Sequence, residues 1–279
     1  MSALHQVENA LRTLYLSVIS EQLNNAHPFF ASIKQTTENV WGKDIKVAPL
    51  RRDTMLTQLL ANVVGNITIS DKALRAVSCG ALVNLINAEM EAMLSATKNE
   101  LSQLLFNGSK HFVGLTQLFG DADIYGCDRI LAPQQFLTPA VHKLDGPLTY
   151  MKLQELVDVQ DTNFILCDFA TKRAYQQALL DDKQNIDVLT IAGGYKALSF
   201  NGIPLVADRN CPKSTMYLLN TNDFKLHQLC DWSWLAKETG SILAQVPEKA
   251  EYTATLVKYC NLICENPSNQ MMITDIECN

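Results

Sequence analysis

Cys167 and Asp168 follow directly on the apolar run Asn163-Phe-Ile-Leu, so a thiol stands where a buried strand would end, a place from which nucleophiles can act. A structural thiol at a strand end explains the same residues, and no Gly-x-Ser-x-Gly turn offers a serine instead. Cys260 and Cys264 are four apart, a spacing that would let a helix present both to one metal ion. The surrounding Thr, Val, Tyr and Ile specify a strand, in which the two lie roughly 13 Å apart along one face, too far to share zinc. His5, His27, His111, His142 and His227 are isolated from one another, and no Cys-x-x-Cys pair occurs. Gly193-Gly194 does not extend into a phosphate-cradling loop with a following lysine. The acidic pairs Asp121/Asp123 and Asp181-Asp182 read as solvated loop residues. The expectation is a protein with no catalytic residue, no metal and no cofactor; a small cytosolic cysteine enzyme built on Cys167 is the alternative from another class.

Composition narrows the class further. The 279 residues are 47% hydrophobic and 19% charged, as in a soluble globular chain of one or two domains. No apolar run approaches the ~20 residues that span a bilayer, and the opening Met1-Ser-Ala-Leu-His has no basic leader, so no membrane and no secretion are expected. Folding in the cytoplasm would leave the 8 cysteines as free, mostly buried thiols. A net charge of −6 gives the surface as a whole no footprint for a nucleic-acid backbone. Sequence-specific DNA binding is therefore not expected, whereas an acidic wall around DNA would let the polymer slide.

The elements that must position these residues can be read from periodicity. Leu4, Val7, Leu11, Leu14 and Val18 predict an amphipathic helix over residues 3–23, stopped at His27-Pro28. Phe29, Phe30 and Trp41 then lie in a polar stretch, either as exposed anchors for another subunit or as closure of the chain's own core. Weak alternation around Arg51-Arg52-Asp53 predicts two strand segments with a charged tip. Ser70-Asp71-Lys72-Ala73 reads as a helix N-cap, and residues 81–106 carry an apolar face long enough for a helix of nearly 40 Å, ended by Asn107-Gly108. Asn201-Gly202 between two apolar runs predicts a tight hairpin, with Pro204 at an edge or at the very start of its second strand. Strands are expected at residues 163–167, 215–219, 224–229, 252–264 and 271–274, and helices at 153–157 and 171–180. The fold class is α+β without internal repeats.

Several of these segments together resemble one family. Ile69-Ser-Asp-Lys-Ala-Leu-Arg, the long helix to Leu104-Leu-Phe-Asn-Gly108, Ala197-Leu-Ser-Phe-Asn-Gly-Ile-Pro-Leu-Val-Ala-Asp208, Thr215-Met-Tyr-Leu-Leu-Asn, residues 220–234 and Tyr252-Thr-Ala-Thr-Leu-Val-Lys-Tyr are similar, in order and spacing, to the landmarks of tailed-bacteriophage major capsid proteins of the Hong-Kong-97-like fold. The resemblance implies an N-terminal arm (1–41), an E-loop hairpin (42–69), a peripheral domain (70–132) with spine helix 81–106, an axial domain (133–245), a long strand returning to the peripheral domain (246–266) and a last segment (267–279) returning to the axial domain. The E-loop is shorter than is usual in that family. No long scaffolding segment is expected before the arm, so that a separate scaffold would help assembly or none would be needed, and no cross-linking lysine and asparagine can be matched.

By the same resemblance the chain would be a structural protein, a homo-oligomer of pentamers and hexamers forming the icosahedral head of a virion around double-stranded DNA. Its partners would be a portal and, in some systems, separate scaffolding or decoration proteins. An encapsulin-like nanocompartment shares the fold and is the nearer alternative. The expected inter-subunit contacts are Phe29, Phe30 and Trp41 as apolar anchors and Arg51, Arg52 and Asp53 as charged ones.

Overall fold

The computed structural model describes residues 3–37, 44–47, 56–76, 79–129, 137–181 and 187–278. The N-terminal helix runs as α1 (Ala3–Ala10), one wider π-type turn (Leu11–Tyr15) and α2 (Leu16–Asn24), followed by the short α3 (Pro28–Ser32). After β1 (Lys34–Thr37) come β2 (Asp44–Val47), β3 (Leu56–Leu59) and β4 (Ala61–Ser70), then α4 (Asp71–Ala76), the spine α5 (Cys79–Asn107) and α6 (Leu115–Leu118). The second half contains β5 (Ala140–Pro147), α7 (Tyr150–Val159), β6 (Phe164–Cys167), α8 (Phe169–Asp181), β7 (Val188–Thr190), β8 (Lys196–Phe200) and β9 (Ile203–Ala207). It closes with β10 (Met216–Leu219), β11 (Phe224–Gln228), β12 (Ser233–Trp234), β13 (Leu243–Gln245), β14 (Glu251–Cys264) and β15 (Met271–Glu277).

Strand β14 organises a six-stranded sheet. Along one edge it pairs antiparallel with β4, from Glu251 opposite Ser70 to Cys260 opposite Ala61. Along the other edge it takes β13, β12 and β11 in turn, and β1 adds beyond β11 in parallel. On β4 the residues Ala61, Val63, Gly65, Ile67 and Ile69 point inward, while Asn62, Asn66 and Thr68 face out, the period-two pattern of a half-buried strand. The spine lies across this face. Its Ile86, Met90, Met93, Thr97, Leu101 and Leu105 are buried at spacings of three and four. Gly65 allows the approach, since a Cβ there would stand 3.0 Å from both Met93 Sδ and Thr97 Oγ1. The spine ends at Gly108, whose φ of +67° only glycine adopts without strain.

The second sheet has seven strands in the order β5-β15-β10-β6-β9-β8-β7. Its central strands are apolar on both faces. Phe164 and Leu166 of β6 and Tyr217 and Leu219 of β10 enter the large core shared with the spine. Their neighbours Ile165, Cys167, Met216 and Leu218 enter a separate core closed by Leu153 and Val157 of α7 and Tyr175 and Leu179 of α8. The Asn201-Gly202 turn joins β8 to β9 with both residues at positive φ, as the sequence predicts. Pro204 sits on an inner strand, but pairing with β6 begins only at Leu205, so its missing N–H costs no ladder bond.

The sequence expectations change in two places. The hairpin expected over residues 42–69 divides: among the described residues β2 and β3 pair with each other, whereas β4 belongs to the six-stranded sheet. The segment expected as an N-terminal arm is folded against the body, with Val7, Leu11, Ile19 and Leu23 buried in the large core. Strands β1, β5, β7, β12 and β13 are too short or too polar to show in periodicity.

Candidate functional site

The chemistry-bearing residues resolve first. Cys167 is fully buried, and desolvation, reinforced by Asp168, drives its thiol far above the usual range, so it holds no reactive thiolate. Asp168 instead caps α8, accepting from the amides of Ala170 and Thr171 at 3.1 Å. Burial pushes the Cys260 thiol up to about 11 and the Cys264 thiol well above its ordinary value. Among the described residues no three His, Cys, Asp or Glu side chains converge as a metal site would require, and no helix is long and apolar enough to cross a membrane.

What the fold does assemble is a pair of polar joints that fix the N-terminal segment to the two sheets. His27 caps α3, its Nδ1 accepting from the Phe29 amide at 3.1 Å, so Nε2 carries the proton and lies 3.2 Å from Asp208 Oδ2, a close polar contact without the alignment of a full hydrogen bond. Asp208 also accepts from Ser102 Oγ on the spine at 2.9 Å and from the Asn210 amide at 2.7 Å. Burial raises the Asp208 pKa, but the close His27 contact and the Asn210 and Ser102 hydrogen bonds outweigh it and hold the carboxyl below its ordinary value. Serine, histidine and aspartate are all present, yet the carboxylate lies between the other two. Ser102 gives its proton to Asp208 and not to His27, so this is no nucleophile–base pair. The three residues are a staple joining three segments.

The second joint surrounds Lys258, a 2% exposed lysine in the middle of β14. Its Nζ donates to Asn24 Oδ1 at 2.6 Å and lies 3.3 Å from Asp231 Oδ1, with the Trp232 ring 5.7 Å away. Asn24 reaches back to Asp231 at 3.0 Å, and the Trp232 indole donates to Asn24 Oδ1 at 3.1 Å. Burial lowers the lysine pKa, with Asp231 opposing the shift. A buried ammonium is tolerated only when paired in this way. The sequence carried a signal for it: Lys258 is the one charge within the mostly apolar run Leu256 to Cys264. His27, Asn24, Asp208 and Asp231 carried none, because their partners are far away along the chain.

The expected contact residues separate. Phe29 and Phe30 are 0% and 4% exposed, so of the two readings open in the sequence they take closure of the chain's own core and not that of anchors offered to a neighbour. Phe29 packs edge-on against Phe164 of the seven-stranded sheet at 5.8 Å and Phe224 of the six-stranded sheet at 5.1 Å, so it wedges between the two. The hydrophobic effect favours this burial over exposure on an arm. Trp41, Arg51, Arg52 and Asp53 lie outside the described residues.

No protein-family model matches the chain, and no curated protein sequence does. Solved structures do. The SrpI encapsulin of Synechococcus elongatus PCC 7942 superposes with a TM-score of 0.65 at 15% identity, over 91% of this chain and 89% of that one. The capsid of an empty GTA particle gives 0.62 at 9% identity over 90% of each chain, and the capsid of cyanophage A-1(L) gives 0.60 at 13% identity over 88% and 86%. The spine helix, the long strand β14 and the two sheets thus make up the Hong-Kong-97-like fold of capsid and encapsulin shell proteins.

Proposed function

We propose that the chain is a shell-forming structural subunit, the major capsid protein of a tailed phage, assembling as pentamers and hexamers around double-stranded DNA. The observation that carries this reading is the fit of nearly the whole chain, not of one module, to proteins described as capsids and encapsulins. The inert thiol of Cys167 and the hub position of Asp208 weigh against an enzyme. In this reading the six-stranded sheet and spine form the peripheral domain, and the seven-stranded sheet forms the axial domain at capsomer centres. The β2–β3 hairpin is the E-loop, with Arg51, Arg52 and Asp53 making charged contacts with an adjacent subunit and Trp41 an apolar one. Each contact need only be modest, because a closed symmetric shell multiplies it.

The test is negative-stain electron microscopy with size-exclusion chromatography on the chain expressed alone. Pentamers, hexamers, tubes or shells support the reading. A monomer that stays so at high concentration and with candidate scaffold added contradicts it.

A second reading, an encapsulin-like compartment, is favoured by the 0.65 TM-score to the Synechococcus encapsulin. Particles that copurify with a protein cargo and no DNA select it over the phage head.

A further inference from the structure

The cleft beside the His27–Asp208 staple, about 410 Å³, gathers more positive charge than the fold uses. Lys98 from the spine, Lys172 from α8, Lys196 at the start of β8 and Arg209 after β9 all line it, against a single lining carboxylate, Asp208. Asp208 is already committed to His27, Ser102 and Asn210. The neighbouring Asp168 is committed to the first turn of α8. No side chain of the four cations is hydrogen-bonded or ion-paired to a described residue. In a chain of net charge −6, four cations without a partner among the described residues repel one another on one concave surface, and an anion among them would relieve that repulsion.

The cleft also offers an apolar platform. Phe169 lines it and is 48% exposed, although it opens a helix whose other aromatic, Tyr175, is buried. The amides that would otherwise bind an anion at the start of α8 are occupied by Asp168, so recognition falls to side chains. The volume is within the range of about 300–1,000 Å³ that small-molecule sites occupy. Cations that can grip phosphate oxygens, beside one exposed ring, match a ligand with several negative charges joined to a flat aromatic group.

We propose that this cleft binds a nucleoside diphosphate or a close analogue, its phosphates held among Lys98, Lys172, Lys196 and Arg209 and its base stacked on Phe169. The site does not depend on the shell reading. Binding would tie α8 and β8 to the spine and the β9–β10 connection, two of the three segments that the staple joins.

Isothermal titration of the purified full chain with ADP, pyrophosphate and adenosine at physiological salt tests it. ADP should bind saturably, about one per chain. Arg209→Glu and Lys196→Glu, at exposed positions that leave the core intact, should each weaken ADP and pyrophosphate by about tenfold. Phe169→Ala should weaken ADP by about tenfold while leaving pyrophosphate unchanged. Unchanged thermal melting of each variant ties the loss to the site and not to folding. Absence of saturable ADP binding at millimolar concentration overturns the proposal, as does ADP binding that the charge reversals leave intact. Equal affinity for ADP and pyrophosphate removes the base from it, and an oligothymidylate that displaces ADP with higher affinity reassigns the cleft to single-stranded nucleic acid.

Discussion

The two sheets solve the same burial problem differently. The seven-stranded sheet is covered on its outer face by α7 and α8, so a separate core around Leu153, Tyr175, Phe200 and Ile273 is built almost wholly from one stretch of chain and the last strand. The six-stranded sheet cannot close its core alone. It needs the N-terminal helix, whose Leu11 and Leu23 are buried beside Trp234 and Trp232, and it needs buried polar joints to hold that helix in place. One region is stabilised by local apolar layering. The other depends on contacts between residues more than two hundred positions apart, such as Asn24 with Lys258.

The largest effect that could break this contrast is at Phe29, the wedge between the sheets. Phe29→Ala should cost about 3–5 kcal/mol in chemical denaturation and loosen both sheets. Phe200→Ala, in the outer core, should cost a similar amount, but hydrogen exchange should show its first loss of protection confined to β8, β9, α7 and α8. Next comes Asn24→Ala, which strips the Lys258 ammonium of its shortest partner and should cost about 2–3 kcal/mol; Lys258→Met, which removes the charge with the need for it, should cost less.

Acid sharpens the comparison further. Asp208 has a folded pKa below its ordinary 3.8, so its stabilisation is fully present above that value and is lost as pH falls through the lower folded one. Asp223 behaves oppositely: burial raises its pKa against the Asn269 and Gln270 hydrogen bonds, so protonation favours the fold as pH drops. Comparing wild type with Asp208→Asn isolates the first contribution, and the variant should lose less stability than wild type below about pH 3.8 in acid unfolding followed by circular dichroism. The smallest effect belongs to the locally stabilised region. Thr149→Ala deletes the cap of α7, where the hydroxyl accepts from the Lys152 amide at 3.3 Å, and should cost about 1 kcal/mol by the same measurement.

The difference between the regions also explains what could be read in the sequence. The spine, the Asn201-Gly202 hairpin and β14 were legible because their signals are local: a periodic face, a turn that needs positive φ, a run of β-branched residues. The N-terminal helix was legible as a helix but not as a docked one, since its apolar stripe does not say which surface it meets. Phe29 and Phe30 show the same gap, being aromatic residues in a polar stretch whose burial depends on two sheets formed much later in the chain. The junction cleft was invisible for that reason too. Its four cations come from three elements and the β9–β10 connection, and each reads alone as an ordinary solvated charge.

Assembly is the claim on which the functional account rests, and the contacts expected at Arg51 and Arg52 give it a specific handle. The most direct measurement is cryo-electron microscopy of particles from the wild-type chain and from the Arg51→Glu, Arg52→Glu double variant, each with its monomer checked by circular dichroism. The account predicts closed icosahedral shells from wild type and impaired shell formation from a variant that is still folded. Normal shells from the variant would contradict the assigned contacts, and a wild-type chain that stays monomeric even with candidate scaffold would contradict the shell itself.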